Sequence, residues 1–342
     1  MPAGVLLDVE AVQHALNLRK TAENPYASSR KEPDAIEWLS GLEPAETGQM
    51  RRSLGTPIAF LVRNQNARSE DYEPLQNVYR PSHADYTWEA KFGLRDARGG
   101  GRSSARETVA RVVAGDLARQ LLPSSVVATA FVSRLAGIAS DPTLLDNQDA
   151  STLKSLRDSH YLRCPDSQAA TAMEEKLRLL KEQGDTAGGV IAGRIDGVPA
   201  GWGEPVFDKF HAVLGHALLS INAVKGVSFG SGFDGADATG SAHNDAFTAL
   251  GKTETNRSGG VQGGITNSEP VLFQVAFKPI SSISTPQSTV DTAGNPAEIA
   301  VGGRHDVTVL PRAIPIVEAM TYLVLADFYL MRQTNRVSLS SY

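Results

Sequence analysis

The sequence predicts an α+β fold in one domain spanning residues 1–342, with helices packed against sheets. Three observations carry the prediction. Short apolar runs rich in β-branched and aromatic residues recur as strands at Pro57–Arg63, Ser124–Val132, Val190–Asp196 and Val271–Lys278. Amphipathic stretches at helical spacing lie between them. Long segments rich in Gly, Ser, Thr and Asn, above all Gly226–Gly264, have the composition of long functional loops.

Taken in order, Asp8–Lys20 predicts a short helix with Val9, Val12 and Leu16 on one face and a basic end. Leu42–Gly55, with Pro44 and Gly48, predicts a surface loop, and Pro57–Arg63 a buried strand. Ser104-Ala-Arg-Glu107 fits a capping box opening a helix to Leu122, whose stripe of Val109, Val112, Val113, Leu117 and Leu121 is core. Asp141–Asp166 is polar and predicts an irregular excursion, followed by a helix over Ala169–Glu182. Val206–Val224 predicts an amphipathic helix with Phe207, Phe210, Leu214, Leu218 and Ile221 inward. Val198-Pro-Ala-Gly201 echoes Met1-Pro-Ala-Gly4, and both precede a predicted helix, as an internal duplication would leave them. In Val271–Lys278 alternation puts Val271, Phe273, Val275 and Phe277 on one face. Ile316–Met331 is nearly all apolar and predicts a buried helix or an oligomer contact, and Val337–Tyr342 a frayed tail.

Composition narrows the function classes. The chain is 41% hydrophobic and 21% charged, as in ordinary globular proteins, and its net charge of −5 argues against a dedicated nucleic-acid binder. No apolar run approaches membrane-spanning length and no secretory leader is visible, so a cytoplasmic protein with no membrane role is expected. One cysteine, Cys164, excludes an internal disulfide and a multi-cysteine metal site. His14 reads as a surface residue; His211 and His216 lie five apart and share no face as metal ligands would, so no metal is expected. No P-loop occurs.

The densest chemistry lies in Arg80–Thr108, where five arginines, one lysine and one histidine surround a triple-glycine turn that leads into the capped helix. Glycines let backbone N–H groups approach an anion, the helix start adds partial positive charge, and Arg98, Arg102 and Arg106 supply forked donors. Phosphate or carboxylate binding is the chemistry such a stretch suits.

RPSHADYT and KFGLRDARGGGRSSARET in this stretch, with GRHD and PRAIP near the C-terminus, resemble the signature segments of the chorismate synthase family; the resemblance runs from Pro2 to about Arg332. It implies a β-α-β sandwich with a helical core between antiparallel sheets, assembled as a homotetramer. The implied activity is elimination of phosphate from 5-enolpyruvylshikimate 3-phosphate to give chorismate, using reduced FMN, with NADPH only as a reductant. His83 and Asp306 would be catalytic, His83 as proton donor to the reduced flavin. Arg102, Ser103, Ser104, Asn222, Ala223, Gly263, Lys278, Pro279, Ile280, Ser281, Ser282 and Arg304 would hold the flavin, and Arg19 and Arg106 the substrate.

Two departures accompany the match. The family's basic Pro-Gly-Gln-Ser run is replaced by Thr21-Ala-Glu-Asn-Pro25, and its N-terminal Gly-Glu-Ser-His-Gly loop is not within this sequence. The loop histidine would protonate the departing phosphate, so its loss should lower the rate roughly 10²–10⁴-fold unless the loop is encoded upstream of Met1. The alternative function class is a non-catalytic flavin- or phosphate-binding homologue.

Overall fold

The computed structural model describes residues 1–20, 24–27, 33–45, 48–64, 75–96, 101–301 and 306–335, with the Arg102 side chain outside that set. Strands are β1 (Leu6–Asp8), β2 (Ile36–Ser40), β3 (Met50–Arg52), β4 (Ala59–Val62), β5 (Val127–Leu135), β6 (Ile138–Ala139), β7 (Gly189–Asp196), β8 (Val224–Phe229), β9 (Phe247–Ala249), β10 (Lys252–Thr253), β11 (Val261–Gln262), β12 (Ile265–Thr266), β13 (Val271–Phe277), β14 (Gln287–Val290) and β15 (Pro296–Ile299). Helices are α1 (Val9–Asn17), α2 (Asp85–Phe92), α3 (Thr108–Leu121), α4 (Leu144–Asn147), α5 (Ala150–Asp158), α6 (Ser167–Glu182), α7 (Phe210–Leu219), α8 (Gly240–His243) and α9 (Leu310–Arg332).

An antiparallel sheet in the order β6-β5-β7-β13-β8 is the backbone of the molecule. Alternation decides its two faces. Ala128, Ala130 and Val132 of β5, Ile191 and Ile195 of β7, and Val271, Phe273, Val275 and Phe277 of β13 enter the main core with α3, α7 and α9. Phe131 and Ala192 face the other way, onto Leu153 of α5. The ribbons β1–β3 and β2–β4 are separate from that sheet; α1 and β1 pack on α3, and Ile36, Trp38, Phe60 and Val62 of β2 and β4 pack against the main core. This is the α+β class that the sequence predicts, with mixed helices and antiparallel sheets as the family resemblance implies.

The centre of the helical layer is the α3–α9 crossing. Gly115 permits it, because a Cβ there would lie 2.4 Å from both Cα and Cβ of Ala319. Helix α9 also closes a strand edge. β5 pairs with β6 only through Arg134 and Leu135, which leaves its earlier outer N–H groups without a strand partner. Ala128 N donates instead to Tyr322 Oη at 3.0 Å, and Ala130 N to Glu318 Oε1 at 3.0 Å. Glu318 is ion-paired with the buried Arg157 of α5, which also donates to the Ala130 carbonyl.

Several sequence expectations need correction. Asp141–Asp166 is not irregular throughout: it holds α4 and α5, the latter capped by Asp149 accepting from Thr152 N at 2.8 Å. Its apolar stripe is too thin to show periodicity, since only Ala150, Leu153 and the unexpected Arg157 are buried. Leu42–Gly55 contains β3, which pairs with β1. β4 is not buried; its residues alternate between exposed and half-buried. The helix expected over Val206–Val224 is shorter, Phe210–Leu219, and Phe207 is 90% exposed rather than inward. Gly226–Gly264 is not one loop, because Val224–Phe229 joins the main sheet and short hairpins follow.

At 23 residues and mean hydropathy 1.5, α9 is long and apolar enough to cross a membrane, against the expectation that no run approaches that length. Its mostly buried surface here is that of a core helix. Pro311 in its first turn costs no hydrogen bond, while Pro315 lies inside it. The predicted tail Val337–Tyr342 lies outside the described residues.

Candidate functional site

The turn Arg80–Ala84 is built around one carboxylate, Asp85 at the start of α2. Arg80 grips it through Nε at 2.8 Å and Nη2 at 2.8 Å, and Arg95 approaches at 3.4 Å. Burial would raise the Asp85 carboxyl, but the hydrogen bonds from Arg80 and His83 outweigh it and hold the group well below the usual carboxylate range. His83 Nδ1 lies 2.9 Å from Asp85 Oδ1 and 3.0 Å from Arg80 Nη2. An ionised carboxylate only accepts and a guanidinium only donates, and Arg80 Nη2 already has its partner in Asp85. The consistent assignment puts a proton on Nδ1, donated to Asp85. That leaves Nε2, on a half-buried ring, as the nitrogen that can exchange a proton with a ligand.

The end of β13 reaches this turn. Lys278 Nζ donates to the Ser82 carbonyl at 2.9 Å and to Ser281 Oγ at 2.7 Å, and Ser281 Oγ donates to the same carbonyl at 3.0 Å. Ser82 has φ +56°, in the left-handed region that favours glycine and strains serine. Burial and the neighbouring Lys225 push the Lys278 ammonium below its ordinary value.

Lys278 N in turn donates to the Ala223 carbonyl at 2.9 Å, and Ala223 has φ +69°. Beside it, Asn222 Nδ2 donates to the Ser103 carbonyl at 3.2 Å, while Asn222 Oδ1 is buried with no hydrogen-bond partner. Ser103 and Ser104 lead into α3, though not as a full capping box. Ser104 Oγ accepts from Arg106 N at 3.3 Å within a single 3₁₀ turn, Ala105–Glu107, and α3 begins after it. Glu107 does not reach back to Ser104 but pairs with Arg111 at 3.1 Å, and Arg111 donates to Ser220 Oγ at 2.6 Å.

The substrate candidates flank the same helix start. Arg19 is buried, with Nη2 donating to Thr108 Oγ1 at 3.0 Å. Arg106 pairs with Asp34 at 3.2 Å and donates to the Arg63 carbonyl. Asp306 accepts from Arg312 Nη1 at 2.8 Å. It adjoins Val307, whose carbonyl accepts from Ala187 N at 2.8 Å, and Thr186 Oγ1 donates to the Ile280 carbonyl. Asp306 and the turn Lys278–Ser282, including Pro279 and Ile280, therefore flank Thr186–Gly188.

Gly263 does not join this set. It sits in the β11–β12 hairpin with φ +60°, and the next carbonyl, Gly264, accepts from Phe210 N at the start of α7. Asn222 lies past the other end of α7, roughly 14 Å along the axis at 1.5 Å per residue. Arg98, Arg304, His305 and most of Thr21–Pro25 lie outside the described residues. Among the described residues no group of His, Cys, Asp and Glu could hold a metal ion. Sequence reasoning missed Asp85; its signal was the His-x-Asp spacing in RPSHADYT, which puts a carboxylate within reach of the imidazole.

The family profile of chorismate synthase matches residues 1–330. The chain belongs to the chorismate synthase family. Chorismate synthase of Christiangramia forsetii is 48% identical over 337 residues, covering 98% of this chain and 92% of that one. The Phocaeicola vulgatus enzyme is 46% identical over 340 residues, with the same coverage, and the Opitutus terrae enzyme 47% over 338 residues, covering 97% and 90%. A solved structure described as a crystal structure of chorismate synthase superposes with a TM-score of 0.74 at 26% identity, covering 97% of this chain and 86% of that one. Chorismate synthases are lyases whose family chemistry implies a flavin, and the residues above suit one. Asn222 Oδ1 is a buried acceptor in want of an N–H donor, which a flavin ring carries, and Lys278 puts a cation near it.

Proposed function

We propose that this chain eliminates phosphate in the 1,4 sense from 5-enolpyruvylshikimate 3-phosphate to give chorismate, with reduced FMN as its flavin and NADPH entering only as a reductant. The observation that carries the reading is the hydrogen-bonded set Ser82–Lys278–Ala223, with Asn222 on Ser103, which gathers three predicted flavin-contact segments beside His83. The consistent naming of full-length relatives as enzymes favours catalysis over a binding-only homologue.

In this reading Ser103, Ser104, Asn222, Ala223 and Lys278–Ser282 hold the flavin, joined by Arg102 and Arg304, while Gly263 lies too far from them to take part. Reduced FMN, when bound, lends electron density while phosphate leaves. His83, with Nδ1 held by Asp85, presents Nε2 as the nitrogen that exchanges a proton with the flavin, and Lys278 offsets negative charge there. Arg19 and Arg106, near the start of α3, bind the anionic substrate, and Asp306 takes part in proton movement. The protein works as a single cytoplasmic domain assembled as a homotetramer, with no nucleic-acid or membrane partner.

The test is anaerobic phosphate release from 5-enolpyruvylshikimate 3-phosphate with reduced FMN. His83→Ala should lower turnover by roughly 10²–10⁴-fold while flavin still binds. Wild-type protein that binds flavin and releases no phosphate, or His83→Ala at the wild-type rate, would overturn the reading.

A further inference from the structure

A cavity of about 490 Å³ lies at the end of the five-stranded sheet remote from Lys278, lined by Pro123, Val126, Pro199, Trp202, Tyr329 and Arg332 among others. Its place follows from the register. Gly197, on its wall, follows the end of β7 at which Ile195 pairs with Val271; the other end of β7 pairs Gly189 with Phe277, next to Lys278. The length of β7 separates the two regions, roughly 23 Å at 3.3 Å per residue. The volume is that of a small-molecule site.

Two features of the wall point to a ligand. Trp202 is 2% exposed, and its Nε1 is buried with no hydrogen-bond partner, although its backbone N donates to Thr266 Oγ1 at 2.9 Å. A buried indole N–H left unpaired is costly and uncommon. Trp202 and Tyr329 put two rings 5.9 Å apart at the cavity, and Arg332, in the last turn of α9, adds an exposed guanidinium. The last carbonyls of α9 do not oppose an anion strongly, since those of Leu330, Met331 and Arg332 accept from Gln333, Thr334 and Asn335.

We propose that this cavity binds an aromatic carboxylate. The ring packs on Pro199, Trp202 and Tyr329, and the carboxylate accepts from Trp202 Nε1 and pairs with Arg332. A neutral hydrocarbon would leave both donors unpaired, and a phosphate or sugar would leave the aromatic wall unfilled.

Phenylacetate and the neutral 2-phenylacetamide are titrated calorimetrically into the full chain without flavin or substrate, so the outcome is independent of turnover. Phenylacetate should bind one per chain, and at least about tenfold more weakly to Arg332→Ala and to Trp202→Phe. 2-Phenylacetamide should be weakened by Trp202→Phe alone. If Trp202→Phe does not fold, Arg332→Ala, on an exposed last turn, still decides. Absence of binding at millimolar phenylacetate, or equal affinity in wild type and Arg332→Ala, would overturn the proposal. So would binding lost in His83→Ala and kept in Arg332→Ala, which would put the probe at the other site.

Discussion

Lys278 donates to the carbonyl of Ser82 across 196 residues of sequence, at 2.9 Å. The contact ties the end of the central strand β13 to the turn that presents His83, so the sheet positions the imidazole although His83 belongs to no sheet strand. It also consumes part of the ammonium's hydrogen-bonding capacity in structure, leaving its charge for a ligand.

Lys278→Met keeps the length of the side chain and removes both charge and donor. Affinity for reduced FMN should fall by about tenfold or more, the worth of one charge-assisted bond, and turnover should fall with it. Flavin titration under anaerobic conditions reads the first effect, and unchanged affinity would separate Lys278 from the flavin.

Asp85→Asn removes the negative charge between Arg80, Arg95 and His83. It should cost about 2 kcal/mol of stability at pH 7, measured by urea unfolding. Because the folded-state acidity constant of Asp85 is shifted down, its contribution is fully present above the unfolded carboxylate value, about 3.9, and is lost as pH falls below it. The gap between wild type and Asp85→Asn should therefore be flat from pH 7 to 5 and shrink below about pH 4. A gap that widens on acidification would contradict the assignment.

Among the described residues, Glu318→Ala leaves Arg157, 2% exposed, with only the half-exposed Asp158 for charge, and leaves Ala130 N without its acceptor. A buried pair broken from one side costs roughly 3–5 kcal/mol. Thermal and urea unfolding should both register the loss, while the residues proposed to hold flavin, on other elements, should bind it as before.

Gly115→Ala places a methyl group against the backbone of Ala319. The α3–α9 crossing must open by more than an ångström to admit it, and overpacking of this kind costs about 1–3 kcal/mol. Gly115→Val should be worse, and Ala319→Gly should partly rescue Gly115→Ala; the double-mutant cycle measures the coupling.

What could be read from the chain alone was whatever physics acts over a few residues. The alternation of Val271–Phe277 fixed which face of β13 is core, the stripe of α3 its inward side, and the motif around Arg80–Thr108 the family and hence the expected ligands. Short-range patterns failed where local signals were weak. Helix α5 has few buried apolar residues, and α2 has almost none, with only Asp85 buried. The capping box misled because Ser104 closes a 3₁₀ turn while Glu107 finds a stronger partner in Arg111.

Only the tertiary structure decided which of many basic and polar residues meet. Sequence spacing cannot show that Lys278 reaches Ser82, that Asn222 reaches Ser103, or that Gly263 lies at the opposite end of α7 from Asn222. Those outcomes depend on the register of β13 between β7 and β8 and on the close α3–α9 crossing, which are set by packing of the whole core rather than by any one segment.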